Sequence, residues 1–101
     1  MPTRSRHRPL FRHLLIAVYV TLLVTGCATM APVQEMSDAR QALRAAEEVG
    51  APVRASETYE RSRSLLEQAE SSLSAGEFQA ARRQAREARA LAIEARIRAA
   101  E

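Results

Sequence analysis

The sequence has few of the residues on which most enzymes, metalloproteins and disulfide-bonded proteins depend. Its 101 residues include one cysteine, two histidines and three glycines, and all 15 basic residues are arginine. A single cysteine cannot form an internal disulfide, and two histidines are too few for most metal clusters. Three glycines do not make a glycine-rich phosphate-binding loop. The length favours one small domain and excludes a multidomain enzyme.

The basic charge of the chain is concentrated at its N-terminal end. The formal net charge is +3 and the pI is about 10.0, which is typical of proteins that bind nucleic acid or anionic membranes. Residues 1–13 hold four arginines, both histidines and no acid. An apolar run follows from Leu14 to Val24, interrupted only by Thr21. This order predicts a secretory signal peptide, because the run is too short for a transmembrane helix of about 20 apolar residues.

The apolar run ends in Val24-Thr25-Gly26-Cys27, which resembles the lipobox of bacterial lipoproteins. That lipobox consists of an aliphatic residue, a small residue, glycine or alanine, and then cysteine. The resemblance implies that a diacylglyceryl group is attached to the Cys27 sulfur and that the chain is cleaved between Gly26 and Cys27. It also implies the periplasmic leaflet of the outer membrane, because Ala28 stands where aspartate would retain a lipoprotein in the inner membrane. The alternative is an uncleaved signal anchor.

Cleavage would remove the excess of positive charge. Residues 27–101 keep 11 arginines and all 12 acids, so that their net charge is about −1. We therefore expect a membrane partner through the lipid anchor and no nucleic acid, which is out of place in the envelope. Residues 27–34 contain Pro32, several small residues and no apolar periodicity, and they predict a tether.

Residues 35–101 predict an all-α domain, either a helical hairpin or a small three-helix bundle. Helices are expected at about residues 35–49, 56–75 and 77–100, separated by the stop signals Gly50-Ala51-Pro52 and Gly76. Ser56 is expected to cap the second helix, and the ring of Phe78 to lie in the core. No strand is expected, since clusters of β-branched residues and hairpin dipeptides are absent after residue 27. Each helix has an apolar stripe at three- and four-residue spacing. The stripes are Met36, Ala39, Leu43 and Ala46; Tyr59, Ser62, Leu66, Ala69 and Leu73; and Phe78, Ala81, Ala85, Ala88, Ala92, Ala95 and Ala99.

Two further resemblances concern this helical region. Residues 73–81 resemble the turn of a tetratricopeptide-type hairpin, but that motif occurs once, whereas a solenoid needs about three repeats. Residues 36–95 resemble the bacterial domain-of-unknown-function family 4398, whose members are short helical lipoproteins. The matching segments are Ala39-Arg40-Gln41-Ala42-Leu43, Leu65-Leu66-Glu67-Gln68-Ala69-Glu70 and the two glycine-containing turns. The resemblance implies an envelope location and a helical fold, and it implies no activity.

Four arginines of the last predicted helix form a candidate binding face. Arg82, Arg86, Arg89 and Arg96 fall within about 80° of each other on a helical wheel, beside the alanine stripe. One interpretation is a solvated face that complements the acidic first helix of the domain. The other is a face for an anionic partner such as lipid head groups or an acidic protein.

Nothing in the sequence indicates catalysis. After cleavage the chain would retain no histidine and no lysine, its serines have no base partner, and no cofactor or metal site is indicated. The sequence therefore predicts a non-catalytic envelope lipoprotein with a structural or scaffolding role. A core of this size rarely supplies more than about 3–5 kcal/mol, which favours contact with an envelope protein or with further copies of the chain. The alternative is a coiled-coil-like oligomer that acts as a spacer or as an anionic-lipid-binding surface.

Overall fold

Every regular element in the described part of the chain is a helix. The computed structural model describes the backbone of residues 3–29 and 31–101 and the side chains of residues 9–22 and 31–101. The helices are α1 (Thr3–Thr29), α2 (Val33–Glu48), α3 (Ala51–Arg54), α4 (Ser56–Ser74) and α5 (Phe78–Ala100). Within these ranges there is no strand, and the predicted all-α class is confirmed.

The chain divides into two compact units, Met1–Met30 and Ala31–Glu101. The first unit contains α1, which includes Pro9 and the predicted apolar run. The side chains of residues 9–22 are all exposed. Along the described residues, none of the helices combines the length and the apolar character that a membrane span requires.

In the second unit, α2, α4 and α5 pack around one core, and α3 is a single helical turn that links α2 to α4. The three predicted stripes form this core. The buried members are Met36, Ala39, Leu43 and Ala46 in α2; Tyr59, Ser62, Leu66 and Ala69 in α4; and Ala81, Ala85, Ala88, Ala92, Ala95 and Ala99 in α5, while Leu73 is partly buried. The arrangement is therefore the small three-helix bundle that the periodicity allows.

The alanine stripe of α5 makes this core thin. Alanine has no side chain beyond Cβ, so α2 and α4 can approach the α5 backbone closely. The hydroxyl of the fully buried Ser62 reaches across from α4 and donates a hydrogen bond of 2.5 Å to the Ala88 carbonyl. Met36, Pro32 and Ser62 are the largest fully buried side chains of the described residues. Close backbone packing along α5, together with the few large side chains that α2 and α4 bury, therefore holds the bundle together.

The expectation that Phe78 lies in the core is wrong. Its ring is 37% exposed and does not belong to the core cluster. Phe78 is the first residue of α5 and lies at the edge of the alanine stripe on a helical wheel. The adjoining turn of residues 74–77 is itself exposed, which leaves this end of the core open.

The turns follow the glycines and α4 begins at Ser56 as expected, but the helical turn α3 was not predicted and the expected cap of α4 is wrong. Gly50 and Gly76 adopt φ values of 81° and 77°, the left-handed conformation that glycine accommodates at the end of a helix. After Gly50 the chain forms the single helical turn α3. Pro52 lies in this turn, at a position where a helix tolerates proline because the missing N–H would have no partner. Ser56 is the first residue of α4 and forms no capping hydrogen bond; Ala55 occupies the cap position. Of the predicted tether, Ala31 and Pro32 are the described residues that lie outside a helix.

Candidate functional site

Two of the four predicted arginines bind a carboxylate of α2. Arg82 Nε lies 3.3 Å from Glu35 Oε1, and Arg86 Nη2 lies 3.7 Å from the same oxygen. The side chains of Arg82 and Glu35 are only 20% and 25% exposed, so solvent screens this pair less than a fully exposed one. This part of the arginine row joins α5 to α2, as the first interpretation of the row expects.

The other two predicted arginines, Arg89 and Arg96, lie farther along α5 and are exposed. Among the residues whose side chains the structure describes, neither forms an ion pair with a carboxylate. Ile93 and Ile97 lie on the same side of the helix and are 43% and 57% exposed. The structure therefore divides the predicted row into a half that binds α2 and a half that faces solvent beside two isoleucines.

An open groove between α2 and α4 is lined by charged residues whose charges cancel. Its lining residues are Arg40, Leu43, Arg44, Glu47, Tyr59, Arg63, Leu66, Glu67 and Glu70. Arg40 Nη2 lies 3.2 Å from Glu70 Oε1, which joins α2 to α4. Three arginines face three glutamates, so the groove has no excess charge that would attract an ion.

Tyr59 lies in this groove and joins its two walls. Its hydroxyl donates a hydrogen bond of 2.6 Å to Glu47 Oε1. This hydrogen bond, together with burial and the Glu47 charge, raises the pKa of Tyr59 to about 12. The cause is that ionisation would remove the donated proton and place two negative charges side by side. At neutral pH Tyr59 is therefore a hydrogen-bond donor that holds α4 to α2, and not a base or nucleophile.

Three contacts between distant residues could not be identified from the sequence. Arg54 Nη1 donates a hydrogen bond of 3.1 Å to the Ala99 carbonyl near the C-terminal end of α5. The side chains of Ser72 and Gln84 hydrogen-bond at 2.8 Å between α4 and α5, and Ser62 bonds to Ala88 as described above. A serine within an apolar stripe does indicate a buried hydroxyl. No local pattern, however, identifies its partner.

The predicted lipidation and cleavage residues lie in α1. Gly26 and Cys27 belong to the helical backbone of Thr3–Thr29, and their side chains are outside the described residues. Acylation of Cys27 and cleavage after Gly26 stay predictions. Across the described part of the chain, no group of three or more His, Cys, Asp or Glu side chains could hold a metal ion.

Comparisons of this chain with protein-family models, with curated proteins and with solved structures find no match. The resemblance to bacterial lipoproteins and to the domain-of-unknown-function family therefore depends on the sequence motifs alone.

Proposed function

We propose that the protein is a lipoprotein of the bacterial envelope whose helical domain has a structural, non-catalytic role. The observation that carries this proposal is the order of three features in residues 1–27. Four arginines precede the apolar run of residues 14–24, and the run leads directly into Val24-Thr25-Gly26-Cys27. A thiolate is a good nucleophile for accepting a lipid, and several acyl chains attach a protein stably where a single chain is marginal. Ala28 favours the periplasmic leaflet of the outer membrane.

The contacts within the bundle support a structural role for the domain. The hydroxyls of Ser62 and Tyr59 donate to groups on neighbouring helices, and these bonds fix the helices relative to one another. The stripes that resemble coiled-coil seams are buried within the chain. This favours a folded scaffold that offers its outer faces to an envelope partner over an oligomer assembled through the stripes.

Metabolic labelling with palmitate tests the anchor. Cys27 is the single cysteine of the chain, so the wild-type protein should take up label and Cys27→Ser should take up none. Thr25→Ser is the matched control, because it keeps a small residue in the lipobox and should retain the label. Label that persists in Cys27→Ser, or a wild-type protein that takes up none, would contradict the proposal.

The scaffolding role has its own tests. Light scattering of residues 28–101 should give a monomer; a defined oligomer would favour the spacer. Crosslinking in cells, followed by mass spectrometry of the captured species, should then recover an envelope protein. Recovery of the chain crosslinked only to itself would argue against a protein scaffold.

A further inference from the structure

We propose that the outward face of α5, formed by Arg89, Ile93, Arg96 and Ile97, docks on an anionic bilayer surface. We call it the docking face. The inference deepens the proposed function and rests on it, because the lipid anchor would hold the domain next to a membrane. Its two arginines would contact anionic head groups, and its two isoleucines would enter the layer beneath them.

The arrangement of α5 is the opposite of what folding alone would select. Its buried stripe consists of six alanines, whereas its two isoleucines face solvent. An amphipathic helix normally turns its large apolar side chains toward the core, where their burial stabilises the fold. Since Ile93 and Ile97 are one turn apart and both are about half exposed, they form a small continuous apolar surface. Neither isoleucine belongs to the core cluster, so this surface contributes little to the stability of the bundle and can contact another apolar surface.

The two charged side chains of the docking face, Arg89 and Arg96, have the same sign, whereas Glu94 and Glu101 lie beyond Ile97 on the side away from these arginines. The docking face, together with Arg86 and Ala100, spans about 100° of the helical wheel. The acids within α5, Glu87 and Glu94, lie outside that sector, and Glu94 binds Arg98 at 2.6 Å on another side of the helix.

Glu35 offsets the positive charge at Arg82 and Arg86. In the described residues, Arg89 and Arg96 have no such carboxylate. The docking face is therefore complementary to an anionic occupant.

The shape of the face favours a bilayer over an acidic protein. The shallow depression at Ile93 and Ile97 has no second helix as a wall, since its other lining residues are Ala90, Glu94, Arg98 and Glu101. Recognition of a partner helix generally uses a hydrophobic groove between elements, which a face on a single helix lacks. Helices that lie on membranes bury apolar side chains to a depth of about 5–10 Å while their arginines remain at the head groups. The small apolar area implies weak docking that an anchor would strengthen through effective concentration.

Tryptophan fluorescence tests docking in the full-length protein, because the chain has no tryptophan of its own. Ile97→Trp places the probe on the docking face, and Gln68→Trp places it on an exposed position of α4 as a matched control. Both proteins are purified from membranes and reconstituted into phosphatidylcholine vesicles with or without phosphatidylglycerol. We expect a blue shift, and quenching by brominated lipid, for Ile97→Trp in the anionic vesicles only. Gln68→Trp should show neither change.

Charge removal then tests the role of the arginines. With Ile97→Trp present, the double change Arg89→Gln and Arg96→Gln should lower the ratio of docked to undocked domain about 25-fold, since each arginine near an anionic surface contributes about fivefold. High salt should act in the same direction. Circular dichroism of each variant should match the wild type, because all of these positions are exposed.

Several results would overturn the inference. They are an Ile97→Trp spectrum that is the same in both kinds of vesicle, an equal shift for Gln68→Trp, or docking that survives loss of both arginines. The first of these would direct attention to an acidic protein as the partner of the face. Palmitate labelling is scored on the same preparations, so failure of the anchor and failure of docking are separate readouts.

Discussion

The close packing of the alanine stripe of α5 predicts how the stability of the bundle responds to a larger side chain. Ala92 is fully buried where α5 packs against its neighbours, whereas Ala90 on the same helix is exposed. Leucine adds three carbon atoms to either site. At residue 92 these atoms have no space, so the helices must separate or the side chain must leave its rotamer, which costs about 1–3 kcal/mol. At residue 90 they extend into solvent, and the free energy of unfolding should change by no more than about 0.5 kcal/mol.

The two substitutions differ only in the face of the helix that carries them. Ala92→Leu removes much of the stability of a domain whose core rarely supplies more than about 3–5 kcal/mol. For a domain of this length, each kcal/mol lowers the melting temperature by about 4–8 °C. Thermal melts of residues 31–101, followed by far-UV circular dichroism, measure both variants. A melt of Ala92→Leu that matches Ala90→Leu would refute the close packing of α5 in the core.

Three further predictions concern single side chains. Phe78→Ala should lower the free energy of unfolding by about 1–2 kcal/mol, because Phe78 is 37% exposed and loses less than a buried ring would. A loss above about 3 kcal/mol in a denaturant titration would mean that the ring is buried. Glu35→Gln should cost about 0.5–1 kcal/mol by the same titration, with the loss reduced in high salt, because Glu35 binds two arginines of α5. Arg89→Gln should cost almost nothing, since Arg89 has no carboxylate partner among the described residues; equal costs would contradict the division of the arginine row. Tyr59 has a folded-state pKa of about 12, above its ordinary 10.0, so its hydrogen bond stabilises the fold fully below pH 10 and is lost as the pH rises toward 12. Tyr59→Phe should therefore lower the free energy of unfolding by about 1.5–3 kcal/mol at neutral pH. Denaturant titrations of this variant should no longer show a loss of stability between about pH 10 and pH 12. If the variant keeps the pH dependence of the wild type, Tyr59 is not the cause of that loss.

The fold was predictable to the extent that it depends on local spacing. Met36, Ala39, Leu43 and Ala46 recur at helical intervals, and all four are buried as expected. Phe78 fits the same spacing and is nevertheless partly exposed. The spacing gives the side of a helix on which a residue lies, but not how far the neighbouring helices extend along it. Errors of this kind therefore occur at helix ends.

The candidate site was predictable only in part. The clustering of Arg82, Arg86, Arg89 and Arg96 on one side of α5 follows from the helical period. Which of them would find a carboxylate depended on the position of Glu35, 47 residues before Arg82 along the chain. A helical wheel shows the residues of one helix only. It cannot show which residues of α2 lie opposite α5, or how far α2 is shifted along α5. For the same reason, the sequence did not distinguish the solvated-face interpretation from the binding-face interpretation.

For residues 31–101, the sequence alone determined the three long helices, the left-handed glycines at residues 50 and 76 and the stripe that each of these helices buries. All of these depend on residues within a few positions of one another, through backbone conformation and helical periodicity. The lipobox prediction is equally local. The tertiary structure decided that Glu35 offsets Arg82 and Arg86, and that Arg89 and Arg96 lie beside exposed isoleucines. These outcomes depend on how α2 and α5 are placed against each other, because a charge can be offset only by a partner that packing brings within a few ångströms.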